Sequence, residues 1–286
     1  MTQRDDTAAR TLVSVVMATY RNDNVAHLGE AIASVRAQTY RALELIIVID
    51  GPIEPQTRIL LDTTALDDAR VRLLPLPENV GPALARNAGI AEAKGTYIAI
   101  LDADDRALPE RIARQVALLE ETGADLVGSQ YRLIDETGAI VGKKSVPVTP
   151  EAIRKVLYLF NPIANSTVLA KAEVLKRHPY RDVDALGPRC FGEDYDLWVT
   201  LALEGFVLRN APEVLVEFRT DSRFLGRRRG LRVFRADLRT KLRTLPLYPA
   251  HRRPWVALVS FGVAVSRLAP AWALTVLYRL RNRARF

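Results

Sequence analysis

Two short acidic runs, Asp102-Ala103-Asp104-Asp105 and Glu193-Asp194-Tyr195-Asp196, stand about ninety residues apart in a chain of 286. Closely spaced carboxylates can hold a hard divalent cation or take a proton from a reacting group. The first run follows Thr96-Tyr97-Ile98-Ala99-Ile100-Leu101, an apolar, β-branched segment that reads as a buried strand. Its carboxylates are therefore expected at the carboxyl edge of a sheet, where open α/β folds bind ligands. A divalent cation bound to a diphosphate would sit there. An isolated Asp-Ala-Asp is more often a solvated turn capping the next helix, so the reading depends on the elements around it.

Residues 12–17, 43–49 and 71–74 repeat the strand pattern, each followed by a polar turn and a helix-like segment such as 82–94. Strands alternating with helices point to a parallel sheet of nucleotide-binding type. After Asp105 the pattern changes. A helix is expected over 109–121, with Pro109 in its first turn, followed by strands over 124–134 and 139–144 joined by Asp135-Glu136-Thr137-Gly138. The sheet is thus expected to be mixed, flanked by helices. A further helix over 195–203 follows the second acidic run. Composition shifts at Arg223, first to arginine-rich helix and then to an apolar stretch, which divides the chain into a catalytic domain over 11–222 and a basic helical tail over 223–286.

The net charge of +8 and pI near 9.8 call for an anionic partner: nucleic acid, an acidic lipid surface or a phosphorylated substrate. Cys190 is the only cysteine, which excludes an intramolecular disulfide or a cysteine-based metal site and favours a reducing compartment. Residues 1–10 lack the apolar core of a secretory signal, so the catalytic part is expected in the cytosol. His27, His178 and His251 show no metal-ligand spacing. No feature sets an oligomeric state.

Six runs together resemble a family-2 glycosyltransferase of the GT-A fold. They are Ala18-Thr19-Tyr20-Arg21-Asn22, Ile49-Asp50-Gly51-Pro52, Asn79-Val80-Gly81 leading to Ala85-Arg86-Asn87-Ala88-Gly89, the first acidic run, Asn161-Pro162-Ile163 with Ser166-Thr167-Val168, and Glu193-Asp194-Tyr195-Asp196-Leu197-Trp198. The Asp-Gly-Pro version is similar to the branch that builds capsules and exopolysaccharides. Two departures are visible: Ile49 stands where many relatives carry the acid that reads uracil, and Asn165 where a histidine often precedes Ser-Thr-Val.

The resemblance implies an inverting, metal-dependent transfer of a sugar from a nucleoside diphosphate, UDP being expected, to a lipid-linked or polysaccharide acceptor. It implies Mn²⁺ or Mg²⁺ on Asp104, with Asp102 facing the ribose and the metal shell. Asp50 and Tyr20 would meet the nucleotide, although Tyr20 is explained almost as well by a surface turn. Arg86 would reach phosphate or fix the acidic run by a bidentate pair. Asp105 is either a ligand or a helix cap. An inverting transfer needs one carboxylate to take the acceptor proton, and Asp194 is assigned that role, with Glu193 contributing and Asp196 steadying the helix start. Trp198 is expected in the core and Cys190 as a bystander.

Arg227-Arg228-Arg229 and their neighbours resemble a segment that closes over the donor diphosphate, the alternative being a solvated basic helix. Beyond it, 255–278 is apolar and bordered by arginines, but Arg267 and Pro270 divide it into pieces too short to cross a bilayer. Two helical pieces on the cytoplasmic face of the inner membrane are expected, ahead of a packed helix or a true span. The rival readings are a nucleotidyltransferase, which wants a glycine-rich loop where 18–24 has no glycine, and a nucleic-acid-binding protein, for which no recognition module is present.

Overall fold

The computed structural model describes residues 11–181, 192–220 and 230–269. Its first half is a run of β-α units: β1 (Val13–Thr19), α1 (Val25–Arg36), β2 (Leu43–Ile49), α2 (Pro55–Asp67), β3 (Val71–Pro75), α3 (Pro82–Glu92) and β4 (Tyr97–Ile100). β1 pairs in parallel with both β2 and β4, and β2 with β3. β1, β2 and β4 are buried on both faces, which is why they read as unbroken apolar runs and not as alternating ones.

The second half adds β5 (Arg106–Ala107), α4 (Arg111–Thr122), β6 (Leu126–Ile134), β7 (Ile140–Lys144), α5 (Pro150–Val156), β8 (Leu169–Lys171), α6 (Ala172–Arg177), α7 (Glu193–Leu203) and β9 (Leu208–Arg219). The sheet runs β3-β2-β1-β4-β8-β6-β9-β5, with β7 hydrogen-bonded to β6. β8 is antiparallel to β4 and β6, while β9 is parallel to β6, so the sheet is mixed as expected. The β6–β7 hairpin lies where the glycine turn placed it: the Asp135 carboxylate accepts from the backbone of Thr137 and Ala139, and Gly138 takes φ +87°. α4 starts at Arg111, after Pro109.

Two apolar cores cover the two faces, one under α1, α2 and α4, the other under α3, α6 and α7. Trp198 is fully buried in the second, as its place on an apolar helix suggested. Gly89 lets α3 lie close on the sheet, since a Cβ there would meet Val16 at 2.6 Å.

The tail contributes α8 (Leu231–Arg243) and α9 (Arg253–Val265). Both pack on the catalytic half: Arg243 is ion-paired with Asp196 of α7, and the Tyr248 hydroxyl donates to the carbonyl of Arg154 at 2.5 Å. Cys190, Arg223, Arg227-Arg228-Arg229 and the apolar residues beyond Ala269 lie outside the described residues. Among those described, no helix is long and apolar enough to cross a membrane.

Candidate active site

The carboxyl ends of β1, β2 and β4 point to one edge, and the first acidic run leaves β4 there. Asp102 is held by two donors and one acceptor: its Oδ1 accepts from Arg86 Nη2 at 2.8 Å and Asn165 Nδ2 at 3.1 Å, and its backbone N–H donates to Ser166 Oγ at 3.2 Å. Burial would raise its carboxyl, but Arg86 holds it below the ordinary range. Asn165, where relatives often have histidine, is itself buried, because it also accepts from the Tyr180 hydroxyl at 2.8 Å. Its side chain braces Asp102.

Arg86 joins the two acidic runs. One guanidinium nitrogen meets Asp102 and the other meets Glu193 Oε1 at 2.9 Å, so runs about ninety residues apart share one buried cation. Of the two roles the sequence left open, this geometry is the second, a clamp on the acidic motif. Burial opposes the charge on Arg86, yet Asp102 and Glu193 more than offset it. Glu193 is buried and its carboxylate is engaged by Arg86.

The second run opens α7, not the segment before it. Gly192 at φ +82° is the N-cap, and Glu193, Asp194 and Asp196 all fall in the first turn, where the helix dipole favours anions. Asp194 is half-buried; its Oδ2 accepts from Asn161 Nδ2 at 2.7 Å and its Oδ1 from the N–H of Tyr195 at 2.7 Å. Asn161 Oδ1 takes the Ile163 N–H at 3.2 Å, which fixes the amide with its donor toward Asp194. Asp196 points the other way, to Arg181 and Arg243.

Asp104 opens to solvent beside Asp102 while its backbone carbonyl accepts from Arg219 Nε at 2.9 Å. Desolvation, then the neighbouring Asp102 and Asp23, push its carboxyl up to about 7. Asp23, unremarked in the sequence, is pushed up to about 6 by burial, with Asp102 and Asp50 adding to it. It sits in the turn after β1, accepting from Thr19 Oγ1 at 2.9 Å and from the N–H of Tyr20 at 3.0 Å. Tyr20 is 41% exposed at the rim.

Asp105 is not a helix cap. It is buried, five residues before the cap of α4, and its Oδ1 accepts from the N–H of Arg219 at 2.7 Å. Arg219 donates further to the carbonyls of Asp135 and Glu136 and to Glu30, so this one side chain ties the acidic loop to the β6–β7 turn and to α1. Arg111, also fully buried, donates to the carbonyls of Ile100 and Val168 beneath the loop. Both arginines escaped the sequence reading, since their partners are far off in the chain. Asp50 has a structural role as well. Its carboxylate accepts from Asn79 Nδ2 at 2.9 Å and from the N–H groups of Val80 and Gly81 at 2.7 and 3.1 Å, so it holds the loop before α3. Gly51 at φ +81° permits this, because a Cβ there would meet Asn79 N at 2.6 Å.

A cation fits this site on its chemistry. Asp102 and Asp104 supply hard oxygens, and the repulsion from Asp102 and Asp23 that adds to desolvation in raising Asp104 is what a bound cation would relieve. No group of three or more ligands is preassembled among the described residues.

The sequence profile described as Glycosyl transferase family 2 matches residues 14–165, more than half of the chain, and the chain belongs to that family. It is similar to the O-antigen biosynthesis glycosyltransferase WbnJ of Escherichia coli, 32% identical over 216 residues that cover 73% of this chain and 79% of that one. Solved structures show the same GT-A fold. S. aureus TarS 1-349 in complex with UDP-GlcNAc superposes with a TM-score of 0.64 at 15% identity, covering 90% of this chain and 73% of that fragment, and 42% of the longer TarS chain. The mannosyltransferase PcManGT from Pyrobaculum calidifontis, in complex with GDP-Man and Mn2+, superposes at 0.61 with 17% identity, covering 96% of this chain and 81% of that one.

Proposed function

We propose that this protein is an inverting, metal-dependent glycosyltransferase that moves a sugar from a nucleoside diphosphate, UDP foremost, to a lipid-linked or polysaccharide acceptor in cell-surface glycan synthesis. The observation that carries this reading is the Arg86 clamp, which fixes a cation-binding edge at Asp102 and Asp104 beside Asp194 at the start of α7. Likeness to WbnJ supports the class of acceptor, and the UDP-GlcNAc bound by TarS supports the donor.

Mn²⁺ or Mg²⁺ held by Asp104 and Asp102 would offset the charge that develops on the departing diphosphate. The acceptor oxygen forms its bond to the anomeric carbon from the side opposite the diphosphate, the anomeric carbon–oxygen bond breaks with its electron pair going to the diphosphate, and the acceptor proton passes to Asp194. Asn161 keeps that carboxylate aimed and Arg86 keeps α7 docked on the acidic loop. Glu193 acts through Arg86, as a positioning residue. With Ile49 in place of a base-reading acid and Asp50 engaged by its loop, Tyr20 and the backbone of the β1 turn are left to meet the nucleoside.

The test is thermal stabilisation by UDP, GDP and their sugars with Mn²⁺ or with EDTA. A ligand at about 100 times its dissociation constant stabilises by about 2.7 kcal/mol. Stabilisation by UDP that needs Mn²⁺, and is lost in Asp104→Asn, is expected. Equal stabilisation in excess EDTA would remove the metal from the reading, and none by any nucleotide would remove the donor.

A further inference from the structure

Charge is divided between the two parts of the chain. Residues 223–286 hold 16 of the 41 basic side chains and 1 of the 33 acidic ones, a net +15, while 1–222 carries −7. Such asymmetry marks a segment that meets an anionic surface.

The two tail helices also have their polarity inverted. A helix on a soluble protein turns its large apolar side chains inward. α8 instead buries Asp237, Thr240 and Lys241 against the catalytic half and leaves Leu231 and Leu242 53% and 37% exposed. The burial is possible because Lys241 Nζ meets Asp237 Oδ1 at 2.5 Å, Arg267 Nε meets Asp237 Oδ2 at 3.4 Å, and Lys241 lies 5.2 Å over the Tyr195 ring. α9 buries only Val256, Ser260 and Ala264, and turns outward Trp255 (64% exposed), Leu258 (63%), Phe261 (50%) and Val265 (39%).

These outward residues form one surface. The rings of Phe234 and Phe261 meet edge to face at 6.1 Å, and the N–H of Gly230 donates to the carbonyl of Arg267, so the start of α8 lies beside the end of α9. Arg232, Arg235 and Arg239 are exposed on α8, and Arg252 and Arg253 at the start of α9. α9 is 13 residues long, too short to span a bilayer.

We infer that the outer faces of α8 and α9 are a docking surface for an anionic lipid bilayer, the apolar stripe entering the interface and the arginines meeting phosphate headgroups at the cytoplasmic face of the membrane. Arg243, ion-paired with Asp196 and donating to Thr200 Oγ1 at 2.9 Å, fastens α8 to α7, so docking fixes how the start of α7 is presented to the lipid. The inference rests on the glycosyltransferase reading only for that consequence; vesicle binding tests the surface without any transfer assay.

The experiment is sedimentation of the full-length chain with vesicles of phosphatidylcholine alone and of phosphatidylcholine with phosphatidylglycerol. Wild type should bind the anionic vesicles at least about tenfold more tightly and lose most of that in high salt. Trp255→Glu with Leu258→Glu, at two exposed positions, should lower binding to anionic vesicles about tenfold or more with the melting temperature unchanged, and Arg252→Gln with Arg253→Gln should lower it mainly at low salt. A folded Trp255→Glu/Leu258→Glu protein that binds like wild type would overturn the assignment. So would a wild type that ignores vesicles and is a dimer which this variant dissociates, since a second copy would then cover the stripe.

Discussion

α7 meets two kinds of buried ion pair. At its start, Arg86 serves Asp102 and Glu193, and the carboxylates beside it, Asp104 and Asp194, stay reachable from solvent. Against its side, Lys241 and Asp237 are sealed from water. The first arrangement keeps charges where a charged substrate can meet them; the second allows α8 to turn its polar face inward and Leu231 and Leu242 outward. Burying ions costs free energy in either place, and removing one partner of such a pair costs more than the pair itself.

The largest expected effect breaks the comparison at the site. Asp194→Asn should lower turnover by roughly 10² to 10⁴ with donor affinity within a few fold, because the lost group acts only as the acceptor is deprotonated. Glu193→Gln should lower turnover less and weaken Mn²⁺-dependent donor binding, through a loosened Arg86. Turnover retained in Asp194→Asn but lost in Glu193→Gln would move the base one residue upstream. Donor calorimetry beside turnover for each variant decides.

At the sealed pair the effect should be on stability alone. Lys241→Met leaves Asp237 with Arg267 only and should cost about 3 to 5 kcal/mol, whereas Asp237→Leu with Lys241→Met should recover most of that, as buried pairs replaced by apolar residues often do. Urea unfolding reads both variants. Donor affinity should not change in either, and a single variant as stable as the double one would mean that the pair carries no desolvation penalty.

The sequence made the β-α order, the β6–β7 hairpin and the acidic edge legible, because each rests on a local pattern of apolar period, turn glycine or strand end. It did not reveal β9, whose alternation is interrupted at Pro212, where its pairing with β6 shifts register. Arg219 and Arg111 were hidden for another reason: an arginine beneath a loop looks like any surface arginine until the chain is folded. Asp50 was read by position as a nucleotide contact; that its carboxylate also accepts from N–H groups about thirty residues away is something no local pattern could show. The tail was legible in composition, while the inversion of its helices was not.

A smaller effect concerns pH. Asp104 is raised from an ordinary 3.8 to about 7 and Asp23 to about 6, so between pH 4 and 7 these two groups hold more protons in the folded chain than in the unfolded one. The stability these groups contribute is full below pH 4 and is lost as pH rises through those values. A cation requires the ionised form, so Mn²⁺ affinity should move the opposite way, rising about tenfold from pH 6 to 8 and then levelling. Titrating Mn²⁺ by calorimetry across that range, with Asp104→Asn as reference, reads the slope; an affinity flat with pH would mean that Asp104 is not a ligand.

The smallest effect separates aim from charge at Asp194. Asn161 can only donate to it, because its oxygen is taken by the N–H of Ile163. Asn161→Ala removes the donor and leaves the carboxylate to water, which should lower turnover a few fold. Asn161→Asp sets a second carboxyl within hydrogen-bond reach of Asp194, and two acids that share a proton ionise later than one. The acid limb of kcat/KM should then move up by about one pH unit, with activity largely restored above it, while donor affinity stays within a few fold. A residue that merely supports the loop would lower turnover equally at every pH, and an acid limb left in place by Asn161→Asp would place the base elsewhere than Asp194.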